Sequence, residues 1–250
     1  MANAIATEMA SESTKAESRV AINLAFASRM LSNTGHDDFN QGQVSARMPG
    51  SDRFLIKGAL VGFNEATPQD MIYAFVDPSR VISPLAPPEL PLHQAIYEAR
   101  ADINAIVHSH APYSLIFGAT DFEVRPISHD GACFESRVPR FTETSNTVLD
   151  MATGRAIASA LGDAPAIFLR NHGSVILGKS IREAAVLAQV LERACRIQMI
   201  AESAGATYHT SSPKDVKEKQ AFIYSSNSIK SYWDYSVRLV KQTWNEAAAW

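Results

Sequence analysis

The sequence of 250 residues predicts a single domain of the α/β or α+β class, with a mixed sheet packed against helices. Two observations predict the sheet: an antiparallel hairpin pattern early in the chain, and short apolar runs in its middle that end in histidines. A third predicts the helices, because several segments carry apolar residues at helical spacing. The chain contains no internal repeat and no low-complexity linker, so we expect one domain over residues 15–250.

The chain begins with a polar segment followed by a helix. Residues 1–14 are mostly Ala, Ser, Thr and Glu, without the basic start and apolar centre of a secretory signal, so we expect a flexible tail. A helical extension that docks on a neighbour is the alternative. Val20, Leu24 and Leu31 then form an apolar stripe at helical spacing, which predicts a helix from Lys15 to Ser32.

An antiparallel hairpin is predicted next. Val44–Met48 alternates and ends at the turn pair Pro49-Gly50, and Arg53–Lys57 has the pattern of its partner strand. Thr67 followed by Pro68 is a typical start of a short helix, because Thr caps and proline suits the first helical position. A strand is predicted from Ile72 to Val76.

Two histidines end the central strand of the chain. His108 and His110 follow the apolar run Ala105–Val107, and Pro112 comes directly after them. Side chains two apart in a strand point to the same side, so both imidazoles are expected on one face. Neutral imidazole is the commonest protein metal ligand, which makes the pair a candidate metal site. Two hydrogen-bonded histidines without a metal are the alternative.

Two more potential ligands lie at the ends of other predicted elements. A proline-rich, irregular segment from Pro78 to Pro91 brings Glu89 to the start of a helix that ends near Arg100. His172 lies in a turn after the predicted strand Ala166–Arg170. Three imidazoles and one carboxylate would fill a tetrahedral first shell around a divalent metal, and a catalytic metal must keep or free one position for its substrate.

The remaining segments alternate between helices, strands and loops. We predict the following elements: a helix at Pro112–Ala119, a strand at Glu123–Ile127, a polar loop at Ser128–Asn146, a helix at Asp150–Leu161 closed by Gly162, a strand at Ser174–Leu177, a long helix capped by Ser180 and ended by Gly205, and an aromatic-rich helical segment from Pro213 to Trp250.

Composition excludes several classes of partner. The sequence is 46% hydrophobic and 20% charged, as is ordinary for a soluble globular protein. A net charge of −3 gives no reason to expect nucleic acid or an anionic membrane. The sequence contains no run of about eighteen apolar residues, so it predicts no membrane span. Cys133 and Cys195 have neither metal nor disulfide spacing, so a cytoplasmic location is expected.

The order and spacing of four motifs resemble the class II aldolase/adducin family from about Ala21 to Cys195. These motifs are Glu89-Leu-Pro-Leu-His93, Tyr97-Glu-Ala-Arg100, Asn104-Ala-Ile-Val-His108-Ser-His110 and Asn171-His172-Gly173. The resemblance implies a three-layer α/β/α fold with a mostly antiparallel central sheet. It also implies a homotetramer with active sites at subunit interfaces, partly covered by C-terminal aromatic residues, although the aromatic residues here could instead pack on their own core.

The resemblance also assigns the metal site. It implies that His108, His110 and His172 bind a divalent metal, Zn²⁺ or Mn²⁺, and that Glu89 acts as both ligand and proton carrier. Such a metal acts as a Lewis acid on a substrate oxygen and stabilises the enolate or phenolate formed when a neighbouring carbon–carbon bond breaks.

The chain departs from the family where its aldolases bind phosphate. Their patterns Ser-Gly-Asn, Ser-Gly and Ser-Ser correspond here to Gln41-Gly42-Gln43, Lys57-Gly58-Ala59 and Pro87-Pro88-Glu89. The small hydroxyl groups are absent from all three, so we expect a substrate without phosphate. Arg47, Lys57 or Arg125 could bind a substrate carboxylate, since a cation binds either anion, although each alone could be a solvated or structural charge.

A histidine occupies the position near which the aldolases carry a catalytic tyrosine from the adjoining subunit. A histidine side chain can carry and donate a proton, so His129 could protonate a carbanion, or it could be a surface histidine in a loop. Tyr224 and His36 are further catalytic candidates, His36 because its glycine-flanked loop is expected near the mouth of the site.

These departures favour a branch of the family that decarboxylates hydroxylated aromatic or heteroaromatic carboxylic acids. The expected function is therefore metal-dependent decarboxylation. A retro-aldol lyase or epimerase acting on a hydroxy-keto acid or sugar derivative is the first alternative. A non-catalytic scaffold of the adducin type is the second.

Overall fold

A seven-stranded sheet in the order β3-β2-β1-β4-β7-β6-β5 forms the centre of the protein. The structure, a computed structural model, describes residues 2–80, 83–135, 137–205 and 207–250, with side chains from residue 14 onward. The strands are β1 (Gln43–Arg47), β2 (Arg53–Lys57), β3 (Met71–Phe75), β4 (Ala105–Ser109), β5 (Arg140–Phe141), β6 (Ala166–Leu169) and β7 (Gly173–Gly178).

Eight α-helices surround this sheet in the described parts of the chain, together with short 3-10 helices at Pro68–Asp70 and Asn245–Ala249. The α-helices are α1 (Ala2–Ser32), α2 (Leu90–Ala99), α3 (Pro112–Ala119), α4 (His129–Phe134), α5 (Met151–Leu161), α6 (Ile181–Ser203), α7 (Pro213–Ile223) and α8 (Ser226–Thr243). Within the described residues, no helix is both long and apolar enough to span a membrane.

The sheet separates two hydrophobic cores, because alternate residues of each strand face opposite sides. On β4, Ile106 packs in the core beneath α2 and α5, whereas Val107 packs in the core of the opposite face. Helices α1, α3 and α6 cover that opposite face, and α8 packs against α1 and α6. The predicted α/β fold with a central sheet flanked by helices is confirmed.

The strand pairings are mixed. All pairs are antiparallel except β5 with β6, which run parallel because α5 connects them as a crossover. The mixed sheet predicted from the residues is confirmed, and the mostly antiparallel sheet implied by the resemblance needs this correction. The predicted hairpin is confirmed as β1 and β2, with Gly50 at a φ of +66° in its turn.

Local sequence signals set most element boundaries. Ser180 accepts a hydrogen bond from the Glu183 N–H at the start of α6, and Asp150 does the same from Thr153 for α5. The backbone of α1 begins at Ala2 rather than near Lys15, so it includes residues expected in a flexible tail, and the flexibility of residues 1–14 stays a prediction. The predicted irregular segment Pro78–Pro91 includes residues 81–82, which lie outside the described residues.

Two predictions between α3 and α5 are wrong. Residues 123–127 form no strand in the described structure, because the Gln198 side chain binds the Glu123 carbonyl and the Arg125 N–H, leaving neither for a sheet. The loop predicted over Ser128–Asn146 contains α4, capped by Ser128, and the short strand β5. Residue 136 of that loop lies outside the described residues.

Candidate metal centre

Strands β4 and β7 bring the three predicted histidine ligands to one end of the sheet. His108 lies on β4, paired with Val175 of β7, and its side chain is on the face covered by α2 and α5. His110 follows β4 directly. His172 lies in the turn between β6 and β7. The three imidazole rings lie 5.0–5.2 Å apart, centroid to centroid.

This close approach requires glycine after His172. A Cβ atom on Gly173 would lie 2.5 Å from the Ser109 carbonyl oxygen and 2.8 Å from Cδ2 of His110. Asn171 begins the turn in the left-handed region, with a φ of +52°, which asparagine tolerates better than most residues. The Asn171-His172-Gly173 motif therefore has a steric basis at each end.

The carboxylate of Glu89 completes the cluster. Glu89 precedes α2 and is only 5% exposed. It accepts hydrogen bonds from Nε2 of His108 at 3.0 Å and from the Val148 N–H at 3.1 Å, and its other contact is Nε2 of His172, 3.1 Å from Oε1. One donor atom from each of Glu89, His108, His110 and His172 lies within 4.8 Å of all the others. The structure thus brings the four predicted ligands together.

Hydrogen bonds at Nδ1 of His108 and of His110 leave Nε2 of each ring for the cluster. His108 donates from Nδ1 to the Ser174 carbonyl at 3.0 Å, and His110 donates from Nδ1 to the Asp38 carboxylate at 2.7 Å. Nε2 of His110 is buried and has no hydrogen-bond partner among the described residues. A buried nitrogen without a partner is costly unless something binds it, and three nitrogens with one carboxylate oxygen are donors that suit Zn²⁺. The residues present therefore fit a divalent metal.

The charges in the cluster are strongly coupled. Burial favours a neutral carboxyl at Glu89, but the charges and hydrogen bonds of His108 and His172 outweigh it and hold the pKa of Glu89 well below its usual range. Burial likewise opposes a charged His108, but Glu89 more than compensates and raises the pKa of His108. Burial, with the nearby His108, lowers the pKa of His110. The negative charge of the Glu89 carboxylate and the lone pairs of the imidazole nitrogens around it can bind a cation.

Two other predicted site residues, His36 and Arg47, lie outside the cluster. Nδ1 of His36 is hydrogen-bonded to Oγ of Ser109, whose side chain is on the opposite face of β4 from His108. The Arg47 guanidinium donates to the carbonyls of Tyr97 and Ile103, four residues along β1 from the residue that pairs with His108. The role predicted for each residue stays a prediction, but these contacts favour a structural role.

Lys57 is buried, and backbone carbonyls occupy its ammonium group. Nζ donates to the Asn40 carbonyl at 3.3 Å, to the Gly58 carbonyl at 3.1 Å and to the Val61 carbonyl. Burial lowers the pKa of Lys57 to about 8. Its predicted role in binding a substrate anion stays a prediction, because these carbonyls already satisfy the donors.

The remaining candidates lie on the side of the protein formed by α4, α6, α7 and α8. His129 is exposed and lines a cavity of about 640 Å³ together with Tyr224 and Asp130. Tyr224 donates from its hydroxyl to Asp130 at 3.2 Å, and Arg193 forms an ion pair with Asp130 at 3.3 Å. None of the four cluster residues is among the described residues that line this cavity.

The C-terminal aromatic residues are divided between two environments. Trp233 is buried in the core, and the Arg29 guanidinium lies over the rings of Trp244 and Trp250. Tyr232 and Tyr235 instead line the cavity that contains His129. Part of the tail therefore packs on its own core, as the alternative interpretation expected.

Arg125 is exposed, and its backbone N–H donates to Gln198.

Two residues near the cluster were missed from sequence. Asp38 orients His110 across a separation of 72 residues. Gln43 pairs with His108 across β1 and β4, is 5% exposed, and its Oε1 has no hydrogen-bond partner among the described residues. The available signal was the polar loop that precedes β1, which ends beside β4, the strand that carries His108.

Comparison with known proteins identifies the family. The sequence model of the class II aldolase and adducin N-terminal domain matches residues 22–199. The chain belongs to this family. The family assignment confirms the resemblance drawn from the four motifs.

Named relatives in the class II aldolase and adducin family differ in activity. Decarboxylase NovR of Streptomyces niveus is 30% identical over 146 residues, or 57% of this chain and 54% of NovR. An L-fuculose phosphate aldolase of Methanococcus maripaludis is 30% identical over 165 residues, or 66% of this chain and 87% of that enzyme. The crystal structure of an aldolase II superfamily protein from Pseudomonas syringae has a TM-score of 0.80 at 26% identity, covering 91% of this chain and 94% of that protein.

Proposed function

We propose that this chain is a divalent-metal-dependent carbon–carbon lyase that decarboxylates a non-phosphorylated, hydroxylated aromatic or heteroaromatic carboxylic acid. The observation that carries the proposal is the convergence of three imidazoles and a carboxylate at one end of the sheet. Similarity to a decarboxylase and to an aldolase supports the class, since both names denote cleavage of carbon–carbon bonds.

Glu89, His108, His110 and His172 would hold the metal. When bound, a divalent cation supplies a Lewis acid that withdraws electron density from a substrate oxygen. In the proposed reaction the bond between the ring carbon and the carboxylate breaks, carbon dioxide leaves, and the electron pair stays on the ring and its neighbouring oxygen. The ring carbon then takes up one proton, so the protein must deliver a proton there. Glu89 is one candidate proton carrier.

The surroundings of the cluster support a substrate without phosphate. Lys57 begins one of the three segments that differ from the family's phosphate-binding patterns, and its ammonium group donates to backbone carbonyls. Two prolines precede Glu89 in another of these segments. Gln43 lies beside His108 with an unpartnered, buried oxygen. Because an amide oxygen accepts hydrogen bonds, this position suits a substrate hydroxyl better than a phosphate oxygen.

The proposed proton donor comes from a second subunit. His129 and Tyr224 share a cavity whose described lining contains no cluster residue. Within one chain, the proposed metal ligands and the proposed acid–base residues therefore line different sites. In the proposal a homotetramer places this cavity against the cluster of a neighbouring subunit. His129 then protonates the ring carbon. Tyr224 keeps its proton and orients the substrate, because burial and Asp130 raise the pKa of Tyr224.

Product analysis tests the reaction. Purified protein loaded with Zn²⁺ or Mn²⁺ is incubated with hydroxylated aromatic acids and hydroxy-keto acids, and carbon dioxide and aldehyde are both assayed. We expect carbon dioxide from the aromatic acids. Aldehyde or pyruvate without carbon dioxide would establish the retro-aldol alternative, which the similarity to an L-fuculose phosphate aldolase favours.

Metal analysis separates the enzyme from a non-catalytic scaffold. All four ligand positions are filled here, so protein purified without chelator should contain metal near one equivalent per chain. Metal far below one equivalent, with no activity after adding divalent ions, would favour the scaffold.

A further inference from the structure

Helix α3 begins two residues after His110 in the chain, and no side chain at its N-cap position caps it. Its N-cap residue is Ala111, which has no polar side chain, and the preceding residue is His110. The first N–H groups of a helix have no partners within the helix and need acceptors from elsewhere. Whatever binds them also fixes the backbone that carries the His110 ring.

The acceptor comes from a different helix. Glu192 of α6 is 6% exposed, and its two carboxylate oxygens accept from the Tyr113 N–H at 2.9 Å and the Ser114 N–H at 2.8 Å. The contact joins residues 79 and 78 positions apart in the chain. A buried carboxylate that receives two backbone N–H groups holds the start of α3 in a fixed place and orientation.

A chain of hydrogen bonds extends from this contact toward the second histidine of the strand. The Ser114 hydroxyl donates to the Ala111 carbonyl at 3.0 Å and accepts from the Ser174 hydroxyl at 3.3 Å. The Ser174 carbonyl accepts from Nδ1 of His108 at 3.0 Å. The Glu192 contact therefore adjoins the backbone of His110 and the residue that orients His108.

We infer that Glu192 is a positioning residue of the metal centre, which sets the directions of His110 and His108 through the first turn of α3. The inference rests on the proposed metal-dependent function. Glu192 is connected to His110 and His108 through backbone and serine groups. Its removal should alter metal affinity in addition to lowering stability.

The same helix offers a matched control. Gln198 of α6 is buried and also ties a loop to the helix by two bonds, accepting from the Arg125 N–H and donating to the Glu123 carbonyl. Those partners follow α3 in the chain, and neither is one of the four cluster residues. Gln198→Leu therefore breaks a comparable pair of buried bonds without touching the start of α3.

The test compares metal binding by the wild-type protein, Glu192→Gln and Gln198→Leu. Each purified full-length protein is stripped of metal, and its Zn²⁺ affinity is measured by competition with a chromophoric chelator. In Glu192→Gln an amide NH₂ must face one of the two backbone N–H groups, so we expect Zn²⁺ affinity to fall about tenfold, the lower end of typical outer-contact effects. The visible spectrum of the Co²⁺-loaded variant should also change. Gln198→Leu should lose thermal stability in the metal-free state but bind Zn²⁺ and Co²⁺ as the wild type does.

The outcomes separate two failures. If the wild-type protein itself binds no stoichiometric Zn²⁺, the proposed function fails and this inference fails with it. If the wild type binds and Glu192→Gln binds within twofold of it with an unchanged Co²⁺ spectrum, the inference alone is overturned. Should Glu192→Gln not fold, Ser114→Ala decides, because it keeps both backbone bonds to Glu192 and removes the hydroxyl that binds the Ala111 carbonyl and Ser174. A Ser114→Ala variant with weakened Zn²⁺ affinity supports the inference, and unchanged affinity overturns it.

Discussion

Asp38 should control metal affinity although it is not itself a ligand. Its carboxylate accepts the Nδ1 proton of His110 at 2.7 Å, a short charge-assisted bond that orients the ring and makes Nε2 more basic. Outer contacts of this kind typically contribute 10–100-fold to metal affinity, or roughly 1.4–2.8 kcal/mol. The Asp38 side chain is 32% exposed, so solvent screens its charge and the effect of losing that charge alone belongs at the lower end.

Two substitutions separate the charge of Asp38 from its hydrogen bond. Asp38→Asn keeps an acceptor oxygen and should weaken Zn²⁺ binding by about tenfold, whereas Asp38→Ala loses orientation as well and should approach about 100-fold. Asp37→Asn is the matched control, because Asp37 is the adjacent carboxylate, is exposed, and accepts from the Ser32 hydroxyl instead. Chelator competition at fixed pH measures all three. Equal Zn²⁺ affinity of Asp38→Ala and Asp37→Asn would refute the reasoning.

Two further predictions concern the same end of the sheet. His110→Ala should lose stoichiometric metal and turnover. Its far-ultraviolet circular dichroism should stay unchanged, because His110 follows β4 and does not fill a core. Full metal content in this variant would contradict the ligand assignment. Burial lowers the pKa of His36 to about 4 from 6.5, so its contribution to stability is complete above pH 6.5 and is lost as the pH falls toward 4. Between pH 7 and pH 5 the metal-free wild type should therefore lose about 2 kcal/mol more unfolding free energy in urea than His36→Gln, and equal losses would argue against a buried neutral His36.

Local patterns were sufficient for most of the fold. The alternation of Val44–Met48 and the caps Thr67 and Ser180 predicted elements that the structure confirms, because these signals act within a few residues. The prediction failed at residues 123–127, where an apolar–polar pattern resembles a strand. There the Gln198 side chain of a distant helix takes the backbone groups that a strand would need.

The candidate site divides in the same way. The sequence by itself determined that His108 and His110 lie at the end of one strand with their side chains on one side, and that His172 lies in a turn after another strand, since the two-residue period of a strand and the signals of a turn are local properties. Tertiary structure decided the rest: the pairing of β4 with β7 and the position of Glu89 before α2 bring the rings to Glu89. It also places Asp38 against His110 and Glu192 against the start of α3. Those contacts join residues 19 to 79 positions apart. No local pattern specifies them, because they form only when the whole chain buries its two cores against one sheet.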